Sequence, residues 1–282
     1  MAQIIEVDDN VLKGLDQLGV SYNLKNEDKF KQISDLDRSK WIAMPYEFTN
    51  GEYSLIFDPA RLYNNSAVEK AGKELEIKYK NSAEDSLGRE FIGNNNWYDS
   101  LRLNLALGNG TMSPKEFKDS LKLLYQGMQG KIKVYNNSGK QIDSKFLKNV
   151  FEDIVKIKNP WRAEFLDADF KVKEGKLHIN YNHVLDSTGN LIPKNSEVLD
   201  KETLMQDKLP GINLEDYLTR KHTIQGLPNK NISSGDLYYW YPRSDNSSVA
   251  RFDAYGNGAD LNCYRNPSDA GSDFGVRAVR RE

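Results

Sequence analysis

An α+β fold, antiparallel in its strands and broken by long irregular insertions, is what the sequence predicts, and three observations carry that expectation. A capping box opens one amphipathic helix, a second amphipathic stretch follows it, and short apolar runs bounded by Gly, Pro and Asn lie on either side of the pair. With 282 residues the chain stands at the upper edge of what one domain holds and can bury a substantial core. It carries no internal repeat, no low-complexity block and no clean linker, so residues 1–282 read as one elaborated domain, to which 1–40 contribute no assignable element.

Taken in order, residues 53–57 form a compact apolar run closed by Asp58-Pro59, the mark of a short strand. Ser113-Pro114-Lys115-Glu116 pairs an N-cap serine with a glutamate three residues on and places Pro at the first helical position. Phe117, Leu121, Leu124 and Met128 then fall at helical spacing, and Gly127 or Gly130 can end the helix. A strand-like stretch at 131–134 and a turn at 136–139 separate it from the second main helix, in which Phe146, Leu147, Val150, Phe151 and Ile154 follow Asp143 and Ser144. Asn159-Pro160 stops that pattern. Runs at 170–172 and 177–181 flank Glu174-Gly175 as a hairpin would. Residues 199–231 are polar, contain Pro210 and Pro228, and show one short helical pattern at 214–218; they read as a long surface excursion.

Composition narrows the function. Lys plus Arg number 39 against 41 Asp plus Glu, leaving no basic excess to follow a phosphate backbone, so general nucleic-acid binding is disfavoured. No run approaches the roughly 18 apolar residues of a membrane span, and Glu6, Asp8 and Asp9 stand where a secretory signal would be basic and then apolar. The chain therefore reads as soluble and without an export signal of its own, its localisation left open, display through a partner or a virion included. Cys263 is the single cysteine, so neither an internal disulfide nor a Cys-based zinc cluster can form. Fifteen Tyr and four Trp in a chain of mean hydropathy -0.70 supply recognition surface without much aliphatic mass.

The C-terminal stretch holds the most information. Ala250, Phe252 and Ala254 share one strand parity and Arg251, Asp253 and Tyr255 the other; Gly256-Asn257-Gly258 makes a turn; Ala259, Leu261 and Cys263 then alternate with Asp260, Asn262 and Tyr264. A two-stranded ribbon with one buried and one solvent-facing side is predicted, followed by a loop bearing Asn266, Ser268, Asp269, Ser272 and Asp273. Upstream, 238–241 read Tyr-Tyr-Trp-Tyr, with Tyr239 and Tyr241 expected inside and Tyr238 or Trp240 framing the ribbon.

The segment VARFDAYGNGADLNCYRNPSDAGSDFGVRAVRRE, with its lead-in GDLYYWYPRSD, resembles the variable region of proteins diversified by retroelements, particularly those of archaea and their viruses. In such systems an error-prone reverse transcriptase replaces adenines, and codons of the AAC or AAT type then yield many residues but never a stop. The resemblance implies a C-type-lectin-like fold of the branch similar to formylglycine-generating enzymes. It implies a scaffold of Val249, Ala250, Phe252, Ala254, Ala259, Leu261, Cys263, Pro267, Gly275, Val276 and Arg277, and a variable region at 249–277. Arg251, Asp253, Tyr255, Asn257, Asp260, Asn262, Tyr264, Asn266, Asp269, Ser272 and Asp273 would be the diversified, ligand-contacting set, directed at an unidentified protein or cell-surface molecule. Two alternatives share the fold: a phage or virus structural or adhesion protein with a fixed partner, and an oxidase of the formylglycine-generating type.

Catalytic signatures are lacking. The oxidases hold copper with two cysteines, whereas Cys263 stands alone. No cofactor or metal is called for: the Glu-Pro-Asn and Trp-Asn-Asp motifs of calcium-dependent lectins do not occur, and 186–190 read as a hairpin turn. His178, His183 and His222 are scattered, and Glu164, Asp167 and Asp169, interleaved with Phe165, Leu166 and Phe170, are expected on a solvated strand or turn.

Overall fold

A computed structural model describes residues 38–45, 53–85, 87–243 and 247–281, so most of the unassigned segment 1–40 and its acidic start lie outside the described residues. The chain runs through β1 (Ile42–Met44), β2 (Leu55–Phe57), α1 (Ser66–Glu74), β3 (Lys80–Glu84), β4 (Glu90–Gly93), α2 (Trp97–Ala106) and β5 (Gly110–Thr111). There follow α3 (Pro114–Met128), β6 (Tyr135–Asn136), α4 (Ser144–Val155), β7 (Arg162–Lys173), β8 (Lys176–Leu185), β9 (Leu191–Val198), β10 (Lys208–Ile212) and α5 (Leu214–Thr219). It closes with β11 (Leu237–Trp240), β12 (Ser248–Tyr255), β13 (Gly258–Arg265), β14 (Phe274–Val276) and β15 (Ala278–Arg281). The architecture is mixed α+β, dominated by mostly antiparallel sheet.

One sheet has the order β10-β11-β13-β12-β7-β8-β9, with β14 added in parallel to β7. A second runs β5-β15-β2-β1-β6, and β3 pairs with β4. The capping box at α3 is present: Ser113 Oγ accepts from the Glu116 amide, and the Glu116 carboxylate accepts from the Ser113 amide at 2.8 Å. α4 starts where Asp143 caps it. Their apolar faces pack on one side of the large sheet, where Phe117 meets Phe252 with ring centres 5.1 Å apart among Leu121, Leu147, Val150, Leu261 and Tyr239.

Outside the C-terminal ribbon, the structure departs from the sequence expectation at four points. Beside the two expected helices stand α1 and α2, capped by Asn65 and Asn96. Residues 131–134 are not a strand; β6 begins one residue later, and Val134 instead fills the space beside Gly127 and is buried. Residues 199–231 are more than a surface excursion, because β10 joins the large sheet and Leu204, Ile212, Tyr217, Leu218 and Leu227 enter its core. Glu164, Asp167 and Asp169 are buried at 1%, 2% and 4% exposure in β7. They stay inside because each meets a cation: Arg277 grips Glu164 through Nε and Nη2 at 3.1 and 2.6 Å, and His183 lies between Asp167 and Asp169 at 2.5 and 3.3 Å. Burial opposes the charge on His183, but the hydrogen bonds its ring donates to the two carboxylates outweigh it and raise its pKa to about 9.

The opposite side of the large sheet is covered as well. Trp97 and Leu101 of α2 pack on Phe165 of β7 and Val249 of β12, with Phe274 of β14 beside them. This second layer places the C-terminal ribbon in the interior for part of its length.

Candidate functional site

β12 and β13 form the predicted ribbon: Phe252 faces Leu261, Ala254 faces Ala259, and Tyr255 faces Gly258 around the two-residue turn Gly256-Asn257. Gly258 has φ +142°, and a Cβ there would approach Tyr238 Cε2 to 3.1 Å, so the turn and the β11 aromatic fix one another. β11 lies parallel to β13, with Tyr238 beside Asp260 and Trp240 beside Asn262. Tyr239 is fully buried, while Tyr238, Trp240 and Tyr241 are half-buried.

The expected solvent-facing side divides into two. Arg251, Asp253 and Asn262 are 1%, 0% and 5% exposed, against the expectation that they face water. The reason is Phe274 of β14, Asp273 before it and the paired charges themselves, none of which the strand alternation reveals. Arg251 stacks on Phe274 at 3.8 Å and pairs with Asp253, Nε to Oδ1 at 2.6 Å and Nη2 to Oδ2 at 2.9 Å. Arg265 Nη2 reaches the same Asp253 carboxylate at 3.1 Å. Burial pushes the Asp253 carboxyl upward against the pull of these two guanidiniums.

Asp260 stands directly across from Asp253 and is half-buried. Trp240 Nε1–H donates to its Oδ2 at 3.0 Å. Burial first, then the Asp253 charge, raise its pKa to about 7 despite Arg265, Asn262 and Trp240. Tyr255, also half-buried, donates its hydroxyl to Asp273 and meets the exposed Trp161 edge-on with ring centres 5.0 Å apart. Trp161, at 50% exposure, was not singled out from sequence, although a tryptophan just after Asn159-Pro160 and outside any apolar period is a usable signal.

Asn257, Tyr264, Asn266, Asp269 and Ser272 are exposed, and Asp273 is half-buried. Tyr264 sits beside Arg243, whose guanidinium also lies 3.8 Å over Tyr241. The loop at 266–273 is held by its backbone. Trp97 N donates to Pro267 O at 3.1 Å, Asn94 N to Gly271 O at 2.8 Å, and Ala163 N to Asp273 O at 2.9 Å, while Ser82 donates its hydroxyl to Ser272 O. A Cβ on Gly93 would come within 2.4 Å of Ser272 O, so close approach of the two chains requires glycine there. Side chains along this loop project from a fixed frame.

The scaffold positions Val249, Ala250, Phe252, Ala254, Leu261, Cys263, Gly275, Val276 and Arg277 are buried, and Ala259 and Pro267 are half-buried. Burial holds the Cys263 thiol far above its ordinary range. Among the described residues no group of three His, Cys, Asp or Glu side chains is arranged to hold a metal ion, and no helix is long and apolar enough to cross a membrane. Comparisons of the chain with protein-family models, curated proteins and solved structures find no match.

Proposed function

We propose that this chain is a non-catalytic ligand-binding protein of the retroelement-diversified type, built on a C-type-lectin-like domain, and that it recognises a protein or cell-surface molecule. The observation that carries the reading is the loop at 266–273 with the adjoining turn: exposed Asn257, Tyr264, Asn266, Asp269 and Ser272 stand on a backbone tied to β3, β4, α2 and β7 or their edges. Asn257, Asp269 and Ser272 can be exchanged at little cost to folding, since exposed positions typically contribute within about 0.5 kcal/mol each, whereas Asn266 also accepts from the Ser268 amide at 2.9 Å and Tyr264 lies beside Arg243. Tyr255, Tyr264, Tyr238, Trp240 and Trp161 would supply rigid aromatic anchors and the Asn, Asp and Ser side chains adaptable hydrogen bonds. Arg251, Asp253 and Asn262 would act from below, setting the shape of the surface.

The genomic locus tests this. An adjacent near-copy of the 249–277 coding segment, differing mainly at adenines and accompanied by a reverse-transcriptase gene, is expected; a locus with neither overturns the reading. In a screen against cell-surface extracts, combined alanine replacement of Asn257, Tyr264, Asp269 and Ser272 should abolish any capture the unaltered protein shows.

A further inference from the structure

Away from the ribbon, the excursion at 199–231 folds back on α3 and brings three titratable side chains together. Lys118 and Asp119 of α3 are buried, at 4% and 6% exposure, and His222 of the excursion is half-buried beside them. Lys118 Nζ lies 2.5 Å from Asp119 Oδ1 and 3.2 Å from His222 Nε2. The second ring nitrogen of His222, Nδ1, lies 3.3 Å from the Thr223 carbonyl oxygen.

The segment that carries His222 is a closed turn seated on the helix. Thr223 N donates to Leu227 O at 2.8 Å, Gly226 N to Thr223 O at 3.0 Å and Asn229 N to Lys221 O at 3.0 Å, and His222 bridges to Pro228. Gly226, at φ +79°, packs so closely on α3 that a Cβ would lie 2.3 Å from the Lys115 backbone. Tyr217 of α5 donates its hydroxyl to Gly226 O at 2.7 Å.

A carbonyl oxygen accepts only, so the proton of the neutral His222 ring belongs on Nδ1 and Nε2 offers its lone pair to Lys118, whose ammonium can only donate. The Lys118–His222 pair thus holds one positive charge, which Asp119 balances. A second proton takes away the acceptor and leaves two cations 3.2 Å apart before one buried carboxylate.

We propose that Lys118 and His222 form a pH-operated latch that fastens residues 221–229 to α3 near neutral pH and loosens them in mildly acidic surroundings. The charged groups around it act as follows. Burial first, and then the Lys118 charge, hold His222 below its ordinary value of 6.5; Lys122 adds to this, while Thr223 O and Asp119 pull the other way. Burial also lowers Lys118, with Asp119 opposing and Lys122 and Lys115 reinforcing, and Tyr217 faces Asp119 from α5. Because the folded value of His222 is depressed, its contribution is present above pH 6.5 and is lost as pH falls through the lower, folded value.

Two measurements on the full chain test the latch. In NMR titration the His222 ring, assigned by its disappearance in His222→Gln, should change charge below pH 6.5, and Lys118→Met should move that titration upward. In hydrogen exchange corrected for intrinsic rates, protection of the amides of Thr223, Gly226, Leu227 and Asn229 should fall about fivefold between about pH 7.5 and pH 5, the worth of one hydrogen bond. His222→Gln keeps an acceptor that does not titrate and should abolish that fall. Asp58 and Asp260, whose values near 6 and 7 lie in the same window, are unchanged in this variant, so the difference between the two chains belongs to His222. A His222 titration at or above pH 6.5, protection that does not change with pH, or a fall that persists in His222→Gln would overturn the proposal. Should Lys118→Met misfold, the unaltered chain and His222→Gln decide it.

Discussion

The outer side of β12 and the loop at 266–273 carry the same kinds of residue and meet opposite surroundings. Arg251 lies under Phe274 and is paired with Asp253, both buried, whereas Asn266, Asp269 and Ser272 stand in water. Strand parity says which way a side chain points, and only the next layer of structure says what it finds there. A charged side chain is therefore no proof of an exposed position once a neighbour of opposite charge travels with it.

Removing one member of the buried pair should give the largest effect. Asp253→Ala leaves Arg251 charged and buried, and should lower stability by about 3–5 kcal/mol in urea denaturation. A loss below about 1 kcal/mol would mean that water reaches the pair and would erase the contrast. Next in size is Gly258→Ala, where a positive φ and the Tyr238 ring both object, at about 1–3 kcal/mol.

Asp260, half-buried between the two extremes, gives a pH test. Its folded pKa of about 7 lies above the ordinary carboxylate value, so the neutral form is the favoured one and its contribution is complete below pH 4. That contribution is lost as pH rises through about 7. Asp58, raised to about 6 by burial, acts in the same direction, so the decisive quantity is the difference between the unaltered chain and Asp260→Asn. The variant should show a shallower fall in Tm between pH 4 and 8, and parallel curves would place Asp260 in solvent. Smallest of all, joint replacement of Asn257, Asp269 and Ser272 by alanine should move Tm hardly at all, within about 0.5 kcal/mol per site; a larger drop would show that the loop depends on its side chains.

Much of the ribbon was legible because a period of two survives in plain view from Ala250 to Tyr264, and α3 because its capping box announces itself. α2 was not, since its inward face mixes Trp97 and Leu101 with Ser100 and Asn104. Asn104 is fully buried because its amide bonds Thr111 Oγ1 at 2.9 Å, beyond the helix end, and Arg277 O at 3.3 Å, far away in sequence. Arg251 and Asp253 look exposed for the same reason, because Phe274 and Arg265, which cover and pair them, lie in other segments. In the same way Glu164, Asp167 and Asp169 read as wet until Arg277, Arg61 and His183 are placed beside them. Hydrophobic periodicity does not record a polar group whose partner arrives from another segment.

The backbone ties on the 266–273 loop have a kinetic meaning. A segment fastened at Pro267, Gly271, Ser272 and Asp273 has little conformational freedom left to lose on meeting a partner. Under the proposed function its free and occupied shapes should superpose, encounter should need no rearrangement, and differences among side-chain versions of the surface should be felt in how long a complex lasts instead of how fast it forms.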